Sequence, residues 1–186
     1  MVWGYKSPGG KFLKNTRIGS TTFIDNGKNL ILGDYVFIGH HNYLEASNGV
    51  NIGEGCQITN FISIITHSSH TAIRLYGKKF TSFSDHEGYM KGSVRIGNYS
   101  FIGPHCVIMP GTIIGKGSIV AAYSYVKGIY PDFSIIKGNP AKVVGDTRKL
   151  DSSYLEKNEI LKTYYQEWAG ENPEGITSMF NAPDQN

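Results

Sequence analysis

At 186 residues with a formal charge of +3, the chain is long enough for one well-buried domain with a modest extension. Its charge is too weak to argue for a nucleic-acid partner, though it suits a basic site for a polyanionic small molecule. No apolar run approaches the roughly 20 residues that span a bilayer, and Met1 to Lys11 lacks the apolar centre of a signal peptide, so a cytoplasmic protein is expected.

Residues 1–17 carry Trp3, Tyr5, Phe12 and Leu13 among Gly, Pro and Lys, and are expected to form an irregular lead-in that covers the open end of the domain. From Ile18 an aliphatic residue returns every six places, at Ile24 and Leu30. The phase slips by two to Leu32, Ile38, Leu44 and Val50, then again to Ile52, Ile58 and Ile64, and such slips are expected to be bulged corners. The period is clearest in Ile96, Ile102, Ile108, Ile114, Val120 and Val126. A small residue stands four places after each of the first five: Ser100, Cys106, Thr112, Ser118 and Ser124.

Strands alternate faces with period two, so a strict six is neither a long strand nor a helix. It fits short strands joined by tight corners, three of which make one turn of a triangular prism with stacked turns pairing in parallel. The fold expected over residues 18–145 is therefore all-β, a parallel β-helix with the aliphatic and small positions pointing inward. Cys56 and Cys106 occupy small inward positions and read as buried packing.

Between residues 65 and 93 the period is lost, and a polar, aromatic stretch without a helical stripe replaces it. A loop this long in a tightly periodic domain is usually functional, and it reads as an arm leaving the prism with His67 and His70 near its root. The phrase Lys137-Gly-Asn-Pro-Ala-Lys142 closes the coil. In residues 146–186 one amphipathic helix is expected from Asp151, capped by Ser153 and Glu156, carrying Leu155 to Trp168 and stopped at Gly170. The tail after Pro173 carries little signal.

Sixfold repeats, an interrupting arm opened by Thr66-His67 and the closing Gly-Asn-Pro-Ala-Lys resemble the hexapeptide-repeat acetyltransferases, nearest to the galactoside, maltose, xenobiotic and polysaccharide sugar O-acetyltransferases. The resemblance covers about residues 18–145. It implies a left-handed coil, an acetyl-CoA co-substrate and a homotrimer with active sites between adjacent prisms; no metal is expected, because His67-x-x-His70 comes without further ligands. It also implies that His67 is the catalytic base, with His70 as the substitute. The chemistry agrees, because a hydroxyl attacks a thioester poorly until a base takes its proton, and an imidazole suits that task.

For the donor, the resemblance points to Gly103, Ala121 and Ala122 as close-approach corners, and to Lys127 and Lys142 as phosphate contacts. For the acceptor it points to His41, Asn42 and Glu45; Glu45 either holds a sugar hydroxyl or orients His67. The implied reaction is direct attack on the thioester by a sugar or glycan-precursor hydroxyl. N-acetylation of an amino sugar nucleotide and xenobiotic acetylation are the alternatives.

Overall fold

A computed structural model describes residues 1–170 of the protein. The chain opens with an antiparallel hairpin, β1 (Val2–Lys6) and β2 (Phe12–Ile18). The expected irregular lead-in is thus corrected: Ser7-Pro8-Gly9-Gly10 is a hairpin turn, closed by Ser7 N to Lys11 O at 2.8 Å. Leu13 is buried in this hairpin, whereas Trp3 and Phe12 remain exposed.

Three-sided coils come next. The first turn runs from β2 through β3 (Phe23–Asp25) and β4 (Leu30–Leu32). The second comprises β5 (Phe37–Ile38), β6 (Tyr43–Glu45) and β7 (Val50–Ile52). The third begins with β8 (Gln57–Ile58) and β9 (Ser63–Ile64). Here the arm intervenes, with β10 (His67–Ser68), α1 (Ala72–Tyr76) and β11 (Met90–Lys91). The coil resumes with β12 (Val94–Ile96), β13 (Phe101–Ile102), β14 (Val107–Ile108), β15 (Ile113–Ile114), β16 (Ile119–Val120), β17 (Tyr125–Val126) and β18 (Ile129–Tyr130). It ends in an antiparallel hairpin of β19 (Ser134–Gly138) and β20 (Ala141–Asp146).

Every third strand lands in the same sheet, which makes three parallel faces. The first face holds β2, β5, β8, β13, β16 and β19, with a hairpin partner at each end. The second holds β3, β6, β9, β14 and β17, and the third holds β4, β7, β12, β15 and β18. Inward residues stack in columns: Ile38, Ile58, Ile102, Val120 and Ile136 are fully buried behind the first face, and Leu44, Ile64, Ile108 and Val126 behind the second. Each such side chain contributes about 1.5–3 kcal/mol of burial.

The two-residue slips are not bulged corners. At β4 and β7 the strand itself is longer, with Leu30 and Leu32 buried around exposed Ile31, and Val50 and Ile52 around exposed Asn51. Strand periodicity explains this, since adding two residues keeps both apolar ends facing inward. The small position of each repeat also does more than fill space. Cys56, Ser100, Cys106, Ser118 and Ser124 point their Sγ or Oγ atoms at corner carbonyls, for example Ser100 Oγ to Gly115 O at 3.1 Å and Ser124 Oγ to Ala121 O at 2.7 Å. Buried backbone acceptors that the corners would otherwise orphan are satisfied in this way.

Tight corners need left-handed backbone, which costs a non-glycine residue roughly 1–2 kcal/mol. The corner between the second and third faces uses Gly49 and Gly111, and the one between the third and first uses Gly55 and Gly117 among aromatic residues. The corner between the first and second faces instead places His41, Phe61, His105 and Tyr123 at φ 58° to 60°.

Beyond β20 the single helix expected from Asp151 is two helices, α2 (Thr147–Leu155) and α3 (Glu159–Ala169). Asp146 caps the first and Asn158 the second, so Ser153 lies inside a helix, and Gly170 is the C-cap of α3. Trp168 of α3 packs on the prism at Tyr99 and Phe133, with ring centroids 4.7 and 5.9 Å away. The expected weak signal after Pro173 lies outside the described residues.

Candidate active site

His67 stands immediately past β9, where the chain leaves the corner between the second and third faces. The arm's root is a two-residue antiparallel ribbon in which His67 faces Lys91 and Ser68 faces Met90. Gly92 N returns to Thr66 O at 3.0 Å. A Cβ on Gly92 would stand 2.7 Å from Gly111 N, so the returning strand can pass the prism only as glycine.

One coil below, Glu45 ends β6 with its side chain 2% exposed. Its Oε2 lies 2.9 Å from His67 Nδ1. The same oxygen accepts from Thr66 N at 2.9 Å and Thr66 Oγ1 at 2.6 Å, and Oε1 accepts from Ser47 N at 2.7 Å. Burial alone would push this carboxyl up, but the hydrogen bonds from Ser47 and Thr66 outweigh it and hold the pKa down at about 2. Glu45 is therefore an anion at neutral pH, and its close contact assigns the ring proton of His67 to Nδ1. Nε2 is left as the basic nitrogen.

Two further groups fix this arrangement. Ser47 Oγ lies 3.3 Å from His67 Nδ1, and Asn48 donates from its backbone to Thr66 Oγ1 at 3.0 Å and from its side chain to Thr66 O at 3.1 Å. From above, Tyr89 stacks on His67 with centroids 5.7 Å apart and planes 10° apart. Tyr89 in turn meets His86 at 6.0 Å, and His86 stacks on Phe80 at 4.0 Å. The arm's interior is thus a column of rings ending on His67. Sequence reading does not find Ser47, Tyr89 or the structural role of His86; the one available signal is the density of aromatics in an otherwise polar loop.

The remaining expected site residues fall in several places. His70 is exposed and bonds to Ser68 Oγ at 2.9 Å. Gly103, Ala121, Ala122, His41 and Asn42 lie at the corner between the first and second faces. Lys127 is exposed at the same kind of corner as His67, and Lys142 is exposed on β20. Asn42 is 3% exposed, donates to Thr59 O at 2.7 Å and accepts from Ile62 N at 2.8 Å. It occupies the small inward position after Ile38 and braces the corner through both ends of its amide.

Glu45 likewise has both oxygens committed within the protein, so of its two expected roles the geometry carries the one toward His67. Gly103 is buried, its place set by the Ala122 amide that a Cβ would meet at 2.7 Å. Within one chain the His67 cluster and the Gly103–Ala122 cluster are on different corners. A cavity of about 790 Å³ between α2, α3 and Tyr99 contains none of these residues. Among the described residues no group of three or more His, Cys, Asp or Glu converges as a metal site would, and no helix is long and apolar enough to cross a membrane.

Comparison with known proteins agrees with this architecture. Residues 93–128 match the bacterial transferase hexapeptide (six repeats) family model. A probable acetyltransferase of Mycobacterium tuberculosis is 30% identical over 115 residues, which cover 62% of this chain and 36% of that protein. The chain thus spans little more than a third of that relative's length. Among solved structures, a galactoside acetyltransferase in complex with coenzyme A superposes with a TM-score of 0.58 at 23% identity, covering 74% of this chain and 68% of the other. An N-acyltransferase from Bacillus cereus in complex with dTDP and 3-hydroxybutyryl-CoA gives 0.61 at 24% identity, with 81% and 89% covered. In its repeats and its fold the chain resembles the hexapeptide-repeat acetyltransferases.

Proposed function

We propose that this protein is an acetyl-CoA-dependent O-acetyltransferase acting on a sugar or glycan precursor, with His67 as general base. The observation that carries the reading is the 2.9 Å contact between His67 Nδ1 and the buried, ionised Glu45. An imidazole oriented in this way presents a basic Nε2 at the mouth of the arm and gains a counter-charge as it becomes protonated. Nε2 takes the acceptor hydroxyl proton while the oxygen attacks the thioester carbonyl. The C–S bond then breaks, and the departing thiolate recovers the proton, giving an acetyl ester and free CoA.

Three finer points belong to the same reading. The coil winds left-handed, as in the resembling family. The protein is a homotrimer, because the His67 corner of one copy and the Ala121–Ala122 corner of the next must meet to hold base and donor together. Lys127 and Lys142 hold donor phosphates, and His41 faces the acceptor. A second reading, N-acylation of an amino sugar nucleotide, is favoured by the mutual coverage with the Bacillus cereus N-acyltransferase.

Isothermal titration of acetyl-CoA, followed by thiol release with panels of sugars and of amino sugar nucleotides, separates the two. Turnover of hydroxyl acceptors supports O-acetylation, and turnover of amino sugar nucleotides alone supports the second reading. Absence of donor binding and of turnover refutes both.

A further inference from the structure

The corner formed by His41, Phe61, His105 and Tyr123 bears a conformational cost at four successive turns to hold a ring where glycine would fit. The rings form one ladder. His41 stacks on Phe61 at 5.1 Å and 14°, Phe61 on His105 at 5.0 Å and 1°, and His105 on Tyr123 at 4.8 Å and 7°. That repeat matches the spacing of the strands that carry them. Phe61 and Tyr123 are 51% and 72% exposed, so the ladder is not core packing.

The ladder stops at Tyr123 while the prism continues through β17, β18 and β19. Among the described residues Tyr123 has a ring neighbour only at His105. The next turn along the axis is the Gly138–Ala141 bend of the closing hairpin, tied to this corner by Gly138 N to Ser124 Oγ at 3.1 Å. Among the described residues no ring stands there, and Tyr123 is left 72% exposed. Two cations mark the same end of the corner. Lys137 follows Ile136, whose carbonyl accepts from Ala121 N at 2.8 Å, and Lys137 is paired in register with Lys142 across the hairpin. Cross-strand partners share a face, and both lysines are exposed. An exposed aromatic ring beside two lysines and the small Ala121 and Ala122 is chemistry suited to a purine nucleotide carrying phosphates.

We propose that Tyr123 is a stacking platform for the adenine of the acyl donor, with Lys137 joining Lys142 on its phosphates. The proposal rests on the donor assignment above and adds the residues that tell CoA from a bare pantetheine thioester.

The test compares binding of CoA and of pantetheine, which lacks the nucleotide, to the wild type, Tyr123→Ala, Tyr123→Phe and Lys137→Ala by isothermal titration, with masses checked by light scattering. Stacking of a base on an aromatic ring predicts about a tenfold or greater weakening of CoA by Tyr123→Ala. Pantetheine binding is expected to be unchanged, Tyr123→Phe to bind CoA as the wild type does, and Lys137→Ala to weaken CoA alone, more so at low salt. Equal CoA affinity in the wild type and Tyr123→Ala overturns the stacking while leaving the donor assignment intact. A change of assembly mass in Tyr123→Ala also overturns it, by assigning the ladder to contacts between copies. A wild type that binds neither CoA nor pantetheine overturns the donor assignment and this proposal together.

Discussion

Among single residues, the buried Glu45 decides what His67 can do. Replacing it with Gln keeps the shape and removes the charge, so the His67 ring loses both its fixed tautomer and its counter-ion. We expect turnover to fall by about 10–100-fold in Glu45→Gln with donor affinity unchanged, measured as a kcat against KM split. Stability depends on the same group. Its folded pKa of about 2 lies below the ordinary 4.5, so its ionised form is stabilised by folding. That contribution is complete above about pH 4.5 and drains away as pH falls through the folded value near 2. Urea midpoints measured between pH 6 and 3 are expected to drop more steeply for the wild type than for Glu45→Gln; parallel curves would show that Glu45 has no part in the acid response. His67 and Glu45 are singled out in the sequence through the family resemblance, which points to the Thr-His phrase at the arm's root and to polar residues one coil before it. The bracing role of Asn42 is harder to read, because its polarity suggests a ligand while its place four residues after Ile38 turns it inward.

Elements show how the arm and corners hold this site. The column Phe80, His86, Tyr89 and His67 joins the arm's interior to the base. His86→Ala removes the middle ring and its bond to Phe80 O at 2.6 Å. Hydrogen exchange in residues 72–91 is expected to accelerate and turnover to fall, while the urea midpoint of the prism barely moves. An unchanged exchange pattern would mean that the arm is held by something else. At the corner under Trp168, Gly117 has φ +63°, and a Cβ there would stand 2.7 Å from the Phe133 ring and 3.1 Å from Trp168. Gly117→Ala is expected to cost about 1–2 kcal/mol or more of stability from backbone strain and crowding together.

The period-six columns are legible because each coil must repeat the same inward pattern. The hairpin β1–β2 is not, since Ser-Pro-Gly-Gly reads equally well as a loop. The two helices merge in the sequence because Asp146, the true cap of α2, directly ends a strand. The arm's short helix α1 is a single turn whose residues Ile73, Arg74 and Leu75 are exposed, and it leaves no periodic stripe to read.

Across the whole molecule, the coil separates two clusters of candidate residues. His67 and Glu45 sit at one corner of the prism, and Ala121, Ala122 and Tyr123 at another, so we expect a working site to be built between copies. Complementation tests this directly. His67→Ala and Ala122→Trp chains, each inactive alone, are expected to recover up to roughly a quarter of wild-type activity when co-assembled as random trimers. No recovery from assemblies shown to be mixed would place the whole site within one chain.

The role of His67 is tested most simply by the rate of CoA release at saturating acetyl-CoA and acceptor, compared between the wild type and His67→Ala. A loss of about 10²–10⁴-fold with acetyl-CoA affinity preserved is expected for removal of a general base. If His67→Ala turns over as fast as the wild type, His67 is not the base, and the buried carboxylate beneath it serves the fold alone.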